Sequence, residues 1–235
     1  VLRLLRYFRF FAHYGTPPAD EEALVACREM APMLQQLSAE RVSAELFKML
    51  EANTAGEVLR LMFNEAILSQ VLPEAENFNR LKRIIELETE LQLNDPLRRL
   101  AALVTLNKED IVALSRRLNF SKIQSSRLAA MAENVFKLMP SLEKAEVDAL
   151  IYRKGVSTIY DVALIGWAGS DMEDNWAPLL TSCDNWRPKI FPLRGEDVLE
   201  LGIPAGSKVS ELLSAVEEWW IADGLRASRK VCMRK

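Results

Sequence analysis

The sequence predicts an all-α fold. Apolar residues recur at three- and four-residue spacing through nearly every segment, and strand-like alternation is nowhere sustained. Cap-forming residues or prolines stand at the breaks between the periodic stretches.

Taken in order, the first helix covers VLRLLRYFRFFAHYG and is broken by Pro17-Pro18. Asp20 can cap a second, running to Leu37, with Leu24, Cys27, Met30, Ala31 and Leu34 on one face. Ser38 is placed to cap a third, with Val42, Leu46, Met49 and Leu50 inward and Glu40 near its positive end. Further helices are expected over 55–71, 74–93, 97–105, 108–118, 121–138, 142–153, 157–168, 174–184, 195–201 and 207–223. Breaks near Ala52–Gly56, at Met139-Pro140 and around Arg187–Gly195 suggest divisions at 1–52, 53–139 and 140–235.

With 235 residues the chain can bury a core without disulfide or metal staples. Hydrophobic residues at 49% and charged residues at 27% match ordinary globular proteins. No apolar run approaches the roughly 18 residues a membrane helix needs, so no membrane role is expected. Cys27, Cys183 and Cys232 are odd in number and widely spaced, which points to a reducing, cytoplasmic compartment.

A net charge of −3 argues against a uniformly basic nucleic-acid binder, yet the charge is unevenly distributed. Residues 1–14 carry Arg3, Arg6 and Arg9 and no acid. Residues 226–235 carry Arg226, Arg229, Lys230, Arg234 and Lys235, again with no acid. A third acid-free window, between Asp110 and Glu133, holds Arg116, Arg117, Lys122 and Arg127.

His13 is the only histidine, which excludes a His-based metal site or a Ser-His triad, and no glycine-rich phosphate loop is present. Asp171, Glu173 and Asp174 form an acidic cluster beside Gly169, best read as a loop and helix cap. No catalytic residue and no metal ligand set is therefore expected within this chain. At 100° per residue, Arg3, Arg6, Arg9 and His13 share about a third of the first helix's circumference. No acid stands three or four residues from the arginines, and Tyr7, Phe10, Phe11 and Tyr14 lie among them. Planar guanidinium forks with aromatic neighbours suit a nucleotide base edge or RNA phosphate, whereas a solvated arginine face is the bland alternative.

LRLLRYFRFFAHYG resembles the end of the E-D-x-x-R motif and the following R-x-x-R-F helix of class II tRNA nucleotidyltransferases. These are the CCA-adding enzymes and the related bacterial poly(A) polymerases. LSAERVSAELFKML (37–50) resembles their neck signature, and LNFSKIQSSRLAAM (118–131) their body segment, with Lys122 in place of Asn. FPLRGEDVLELGIPAGSKVSELLSAVEEWWIADG (191–224) resembles the C-terminal signature and departs from it at Val198. The resemblance runs through the whole chain in family order. It implies an elongated, all-α neck, body and tail that binds tRNA and selects CTP and ATP. The motif's Glu and Asp would stand just before Val1. The resemblance thus implies a fragment, inactive alone, whose missing head holds two Mg²⁺ ions on its carboxylates.

By the same resemblance, Arg3 and Arg6 read the incoming nucleotide, and Glu40, Glu45 and Arg41 support the arginine helix. RNA contacts are expected from Arg9, Arg116, Arg117, Lys122 and Arg127. Arg187, Lys189, Arg194, Arg226, Arg229 and Lys230 are expected to add others. Gly195, Gly202, Pro204 and Gly206 read as turn residues, and Trp219-Trp220 as core and boundary. The alternatives are a bacterial poly(A) polymerase of the same family, or a helical protein-interaction module without an RNA role.

Overall fold

A computed structural model describes residues 1–134, 138–170 and 175–235. Among them are fourteen helices and no strand, only an isolated bridge pairing Ala75 with Val104. They are α1 (Leu2–Tyr14), α2 (Glu21–Met30), α3 (Ala39–Leu50), α4 (Ala55–Asn64), α5 (Phe78–Glu90), α6 (Pro96–Leu103) and α7 (Lys108–Arg117). Then come α8 (Lys122–Asn134), α9 (Lys144–Lys154), α10 (Val156–Gly169), α11 (Ala177–Asp184), α12 (Gly195–Glu200), α13 (Ser207–Ala222) and α14 (Arg229–Cys232). No helix among the described residues is long and apolar enough to cross a membrane.

Two compact units emerge, one of residues 1–138 and 161–174, the other of 139–160 and 175–235. In the first, α3 packs against α1 and α6, α4 against α1 and α5, and α8 against α6 and α7. Leu5, Phe8, Leu46, Met49, Leu59, Met62, Ile84 and Leu100 fill its core. In the second, α9 packs on α11 and α13, and α12 on α13. Its core centres on Trp220, which meets Tyr152 and Phe191 at ring distances of 5.5 and 5.6 Å. The indole N–H of Trp220 donates to the Ala227 carbonyl at 3.0 Å, while Trp219 stays half-buried.

Several elements differ from their sequence-based limits. The helix expected to reach Leu37 ends at Met30, and Ala31–Gln36 continue as a 3₁₀ turn. Pro32 supplies no backbone N–H there, so the α-helical ladder cannot continue. Asp20 caps α2 as expected, accepting from Ala23 N at 2.7 Å. Ser38 occupies the cap position of α3, but its hydroxyl makes no capping hydrogen bond. The short α14 had no counterpart in the periodicity.

Helices α4, α5 and α7 end in left-handed residues that are not glycine: Ala66 (φ 55°), Gln92 (φ 56°) and Asn119 (φ 52°). Each lets the next N–H reach back five residues, as Ile67 does to Met62 O at 2.9 Å and Leu93 to Glu88 O at 2.7 Å. Alanine and glutamine give no sequence signal for such a stop, which is why α4 and α5 are shorter than expected. The left-handed conformation costs a non-glycine residue about 1–2 kcal/mol, of which glycine's greater unfolded-state freedom takes back about 0.4–1 kcal/mol. Gln92→Gly should therefore raise stability by about 0.5–1 kcal/mol, read as a higher urea midpoint at constant slope.

Candidate nucleic-acid interface

The three arginines of α1 are held to different degrees by one carboxylate of α3. Glu45 is buried, and its two oxygens lie 2.9 Å from Arg9 Nη1 and 3.4 Å from Arg6 Nε. The contact to Arg9 is an ion pair without hydrogen-bond alignment, since Glu45 Oε2 has no hydrogen-bond partner. Arg9 is 17% exposed and Arg6 54%, while Arg3 is exposed and pairs with no carboxylate among the described residues. The far end of α1 is pinned separately: His13 Nε2–H donates to Lys48 O at 2.8 Å, and Thr54 Oγ1 to Ala12 O at 2.5 Å. The helix therefore presents a free guanidinium, a tethered one and a fixed one along a single stripe. Phe10 and Tyr14 are 52% and 81% exposed beside them, with Arg9 stacked 4.4 Å from the Phe10 ring centre. Glu40, expected to help hold this helix, instead accepts from Asn119 Nδ2 at 3.0 Å.

That contact and the edge-on pair Phe47–Phe120, 5.7 Å apart, seat the α7–α8 turn against α3. Arg116 and Lys122 flank the turn, exposed and without ion pairs among the described residues. Arg117 donates to Glu74 at 2.5 Å. Arg127 is turned inward onto Asp95 and Asp161, so its guanidinium is committed to protein carboxylates.

In the second unit, Asp197 brings two expected residues together. It accepts from Arg194 N at 2.6 Å and from Arg229 Nε at 3.0 Å. The Arg194 amide and then the Arg229 guanidinium hold its carboxyl below the usual carboxylate range. Arg187, Lys189, Arg226 and Lys230 are exposed and unpaired with carboxylates among the described residues. Gly202 and Gly206 take positive φ, as expected of turn residues.

Sequence reasoning missed the strongest polar feature of the first unit. Glu88 of α5, fully buried, accepts from Arg98 Nη1 at 2.7 Å and from Arg99 Nε at 2.6 Å. Arg98 Nε reaches Asp161 of α10 at 2.8 Å, and Arg127 Nε reaches the other oxygen of Asp161 at 2.8 Å. Arg127 also donates to Asp95 at 2.5 Å. Arg99 Nη1 donates to Leu50 O and Ala52 O at 2.7 and 3.1 Å, tying the end of α3, and hence Glu45, to the network. The available signal was Arg98-Arg99 and Asp161 lying inside otherwise apolar helical stretches.

Burial opposes ionisation of Asp95, but the hydrogen bonds from Arg127 and from the Arg98 amide outweigh it, leaving its pKa below the ordinary value. A carboxylate so depressed adds stability that is full above its unfolded value, about 3.9, and is lost as pH falls through the lower folded value. The melting temperature should consequently drop as pH falls below about 4. Asp95→Asn should show a shallower drop over that window.

Among the described residues, no group of three or more His, Cys, Asp or Glu side chains is arranged to hold a metal ion. The buried carboxylates Glu88 and Asp161 are taken up by arginines, so they do not form a Mg²⁺ site. The Asp171, Glu173 and Asp174 cluster lies outside the described residues.

Comparison with known proteins converges on one group. A family described as "Probable RNA and SrmB- binding site of polymerase A" matches residues 19–79. The chain is 27% identical to the mitochondrial CCA tRNA nucleotidyltransferase 1 of Mus musculus, over 97% of this chain and 53% of that protein. Its counterpart in Danio rerio is also 27% identical, over 93% and 51%. The chain thus spans about half the length of the curated relatives it matches. The CCA-adding enzyme of Bacillus stearothermophilus in complex with CTP superposes with a TM-score of 0.70 at 20% identity, covering 94% of this chain and 57% of that one. The Thermotoga maritima CCA-adding enzyme complexed with tRNA gives 0.62 at 16%, covering 99% and 60%. The all-α fold is that of the matching portion of the CCA-adding enzymes, as the motif resemblance implied.

Proposed function

We propose that this chain is the neck (1–52), body (53–139) and tail (140–235) of a CCA-adding tRNA nucleotidyltransferase, which extends the tRNA 3′ end from CTP and ATP. The observation that carries the reading is the gradation along α1: Glu45 pairs at 2.9 Å with the largely buried Arg9, hydrogen-bonds the half-exposed Arg6 at 3.4 Å and leaves Arg3 free of carboxylates among the described residues. A free guanidinium fork beside a fixed one can read a base edge while the other anchors the helix. In this reading Arg3 and Arg6 face the nucleotide, and the exposed cations of the α7–α8 turn and of the second unit grip RNA phosphates. Arg9, Arg117, Arg127 and Arg229 act through the carboxylates they already hold. Nucleotidyl transfer in such enzymes draws on divalent metal. Among the described residues no donor set fits one; in this reading the metal is held by the carboxylates of the head domain that the motif resemblance implies.

The three free, buried thiols fit a reducing compartment, and burial pushes the Cys183 thiol up to about 12. We place the protein in the cytoplasm on that basis, although the vertebrate relatives are named as mitochondrial. A bacterial-type poly(A) polymerase remains the second reading, favoured by the family description at residues 19–79. The products separate the two: the full-length protein with CTP, ATP and Mg²⁺ should add C, C and A and then stop, whereas a poly(A) polymerase would add an A tract.

Titration of this chain with tRNA should show steep salt dependence, with a log–log slope of about −0.7 to −0.9 per phosphate contacted. Arg116→Ala and Lys122→Ala should each make the slope shallower by about one. Undetectable or salt-independent binding would favour a protein-interaction module instead.

A further inference from the structure

Helices α1 and α3 run side by side in the same direction: Arg6 and Arg9 face Glu45, and His13 faces Lys48. Their C-terminal ends therefore lie together, where each helix leaves backbone carbonyls without an intrahelical donor. Side chains from several elements answer those carbonyls. His13 Nε2–H donates to Lys48 O at 2.8 Å, and Thr54 Oγ1 to Ala12 O at 2.5 Å. Asn94 Nδ2 donates to Glu51 O at 2.8 Å, while Arg99 Nη1 donates to Leu50 O and Ala52 O. The charge of Arg99 also suits the negative pole at the end of α3.

These bonds form a clasp that joins α1 to the rest of the first unit. Arg99 of α6 and Asn94, just ahead of α6, fix the end of α3, and His13 and Thr54 fix the end of α1 to it. Burial alone does not set this geometry. Leu4, Leu5, Phe8 and Ala12 hold α1 down on the core, but apolar burial has no direction. Hydrogen bonds do, and so they fix the slide and tilt of the helix. The other end of α1 has no such clasp among the described residues: Val1 offers no side-chain cap, and Arg3 is exposed. Arg3 stands ten residues from His13, about 15 Å along the helix, so a tilt of about 5° at the clasp moves it by about 1.3 Å. A misplacement of about 1 Å can cost on the order of 100-fold in a positioned reaction.

We infer that His13, backed by Thr54, is a positioning residue for nucleotide selection, aiming Arg3 and Arg6 through the tilt of α1. The inference rests on the reading of Arg3 and Arg6 as nucleotide-facing, and it adds a residue that itself touches no nucleotide. His13 is exposed, so water can replace its hydrogen bond at little cost in stability. Water supplies no fixed direction, however. Removal of His13 therefore frees the angle of α1 and leaves the fold in place.

The test uses the full-length protein with tRNA, Mg²⁺ and each of CTP, ATP, GTP and UTP in turn. His13→Ala should raise KM for CTP and ATP and shrink the preference for them by about tenfold, with melting temperature and tRNA affinity near wild type. His13→Gln, whose side-chain N–H can reach Lys48 O, should recover most of the preference. Thr54→Ser should keep it, and Thr54→Val should lose part of it. Hydrogen exchange of the α1 amides reads the hold on the helix without any nucleotide: it should be faster in His13→Ala and restored in His13→Gln. Intact nucleotide choice in His13→Ala, where Arg3→Ala does lower it, would overturn the inference. So would a fall in melting temperature that matches the loss of selection and is not rescued by glutamine, the mark of a merely structural contact. Failure of the underlying reading looks different: Arg3→Ala and Arg6→Ala would both keep nucleotide choice, while His13→Ala still loosened α1.

Discussion

Glu88→Ala should destabilise the chain by about 3–5 kcal/mol, the cost of leaving buried cations without their carboxylate. Both oxygens of Glu88 are occupied by guanidinium donors at 2.6 and 2.7 Å, and neither Glu88 nor Arg99 has any exposed surface. Arg99 would retain only the carbonyls of Leu50 and Ala52, and its Nη2 already lacks a partner. Against a typical domain stability of about 5–15 kcal/mol the loss is large, and it should appear as a lower urea midpoint and reduced expression. Glu88→Gln should recover little, because the amide accepts through one oxygen and turns an N–H toward the second arginine. Asp161→Ala should cost less, since Arg127 is about one-third exposed and can turn to solvent. An unfolding midpoint for Glu88→Ala within error of wild type would show that the network is not a keystone of the fold.

The helices were legible in the sequence and the network was not, for a physical reason. A helix declares itself locally, through apolar spacing and caps such as Asp20 and Asn107, whose side chain accepts from Glu109 N and Asp110 N. A buried ion cluster is assembled from residues far apart: Glu88, Arg98 and Asp161 meet only when α5, α6 and α10 pack. Each alone reads as a surface charge. Arg127 illustrates the difference. An acid-free window in sequence marks it as a free cation, yet its partners Asp95 and Asp161 lie 32 and 34 residues away. The same limit explains Ala66 and Gln92, whose left-handed turns are dictated by packing and not by residue type. The arginine stripe was legible as a stripe, but the ordering of its three members depends on Glu45, whose placement between Arg6 and Arg9 is tertiary.

That ordering makes the arginines separable by experiment. If Arg3 reads the incoming nucleotide as proposed, Arg3→Ala in the full-length protein should erode a preference for C and A over G and U by about 1–3 kcal/mol, the worth of a bidentate contact to a base edge. Since Arg3 makes no ion pair among the described residues, its removal should leave the melting temperature and tRNA affinity near wild type. Arg3→Lys should not restore the preference, because an ammonium is a point charge without a planar fork. Arg9→Ala should behave in the opposite way. It strips the buried Glu45 of its nearest cation, 2.9 Å away, so it should lower the melting temperature before any change in specificity is seen. Glu45→Gln should release Arg9 and Arg6 together and loosen both stability and selection. A variant series in which Arg3→Ala weakened tRNA binding and kept nucleotide choice intact would move Arg3 from the nucleotide to the RNA backbone. The division of labour along α1 would then have to be redrawn around Arg6.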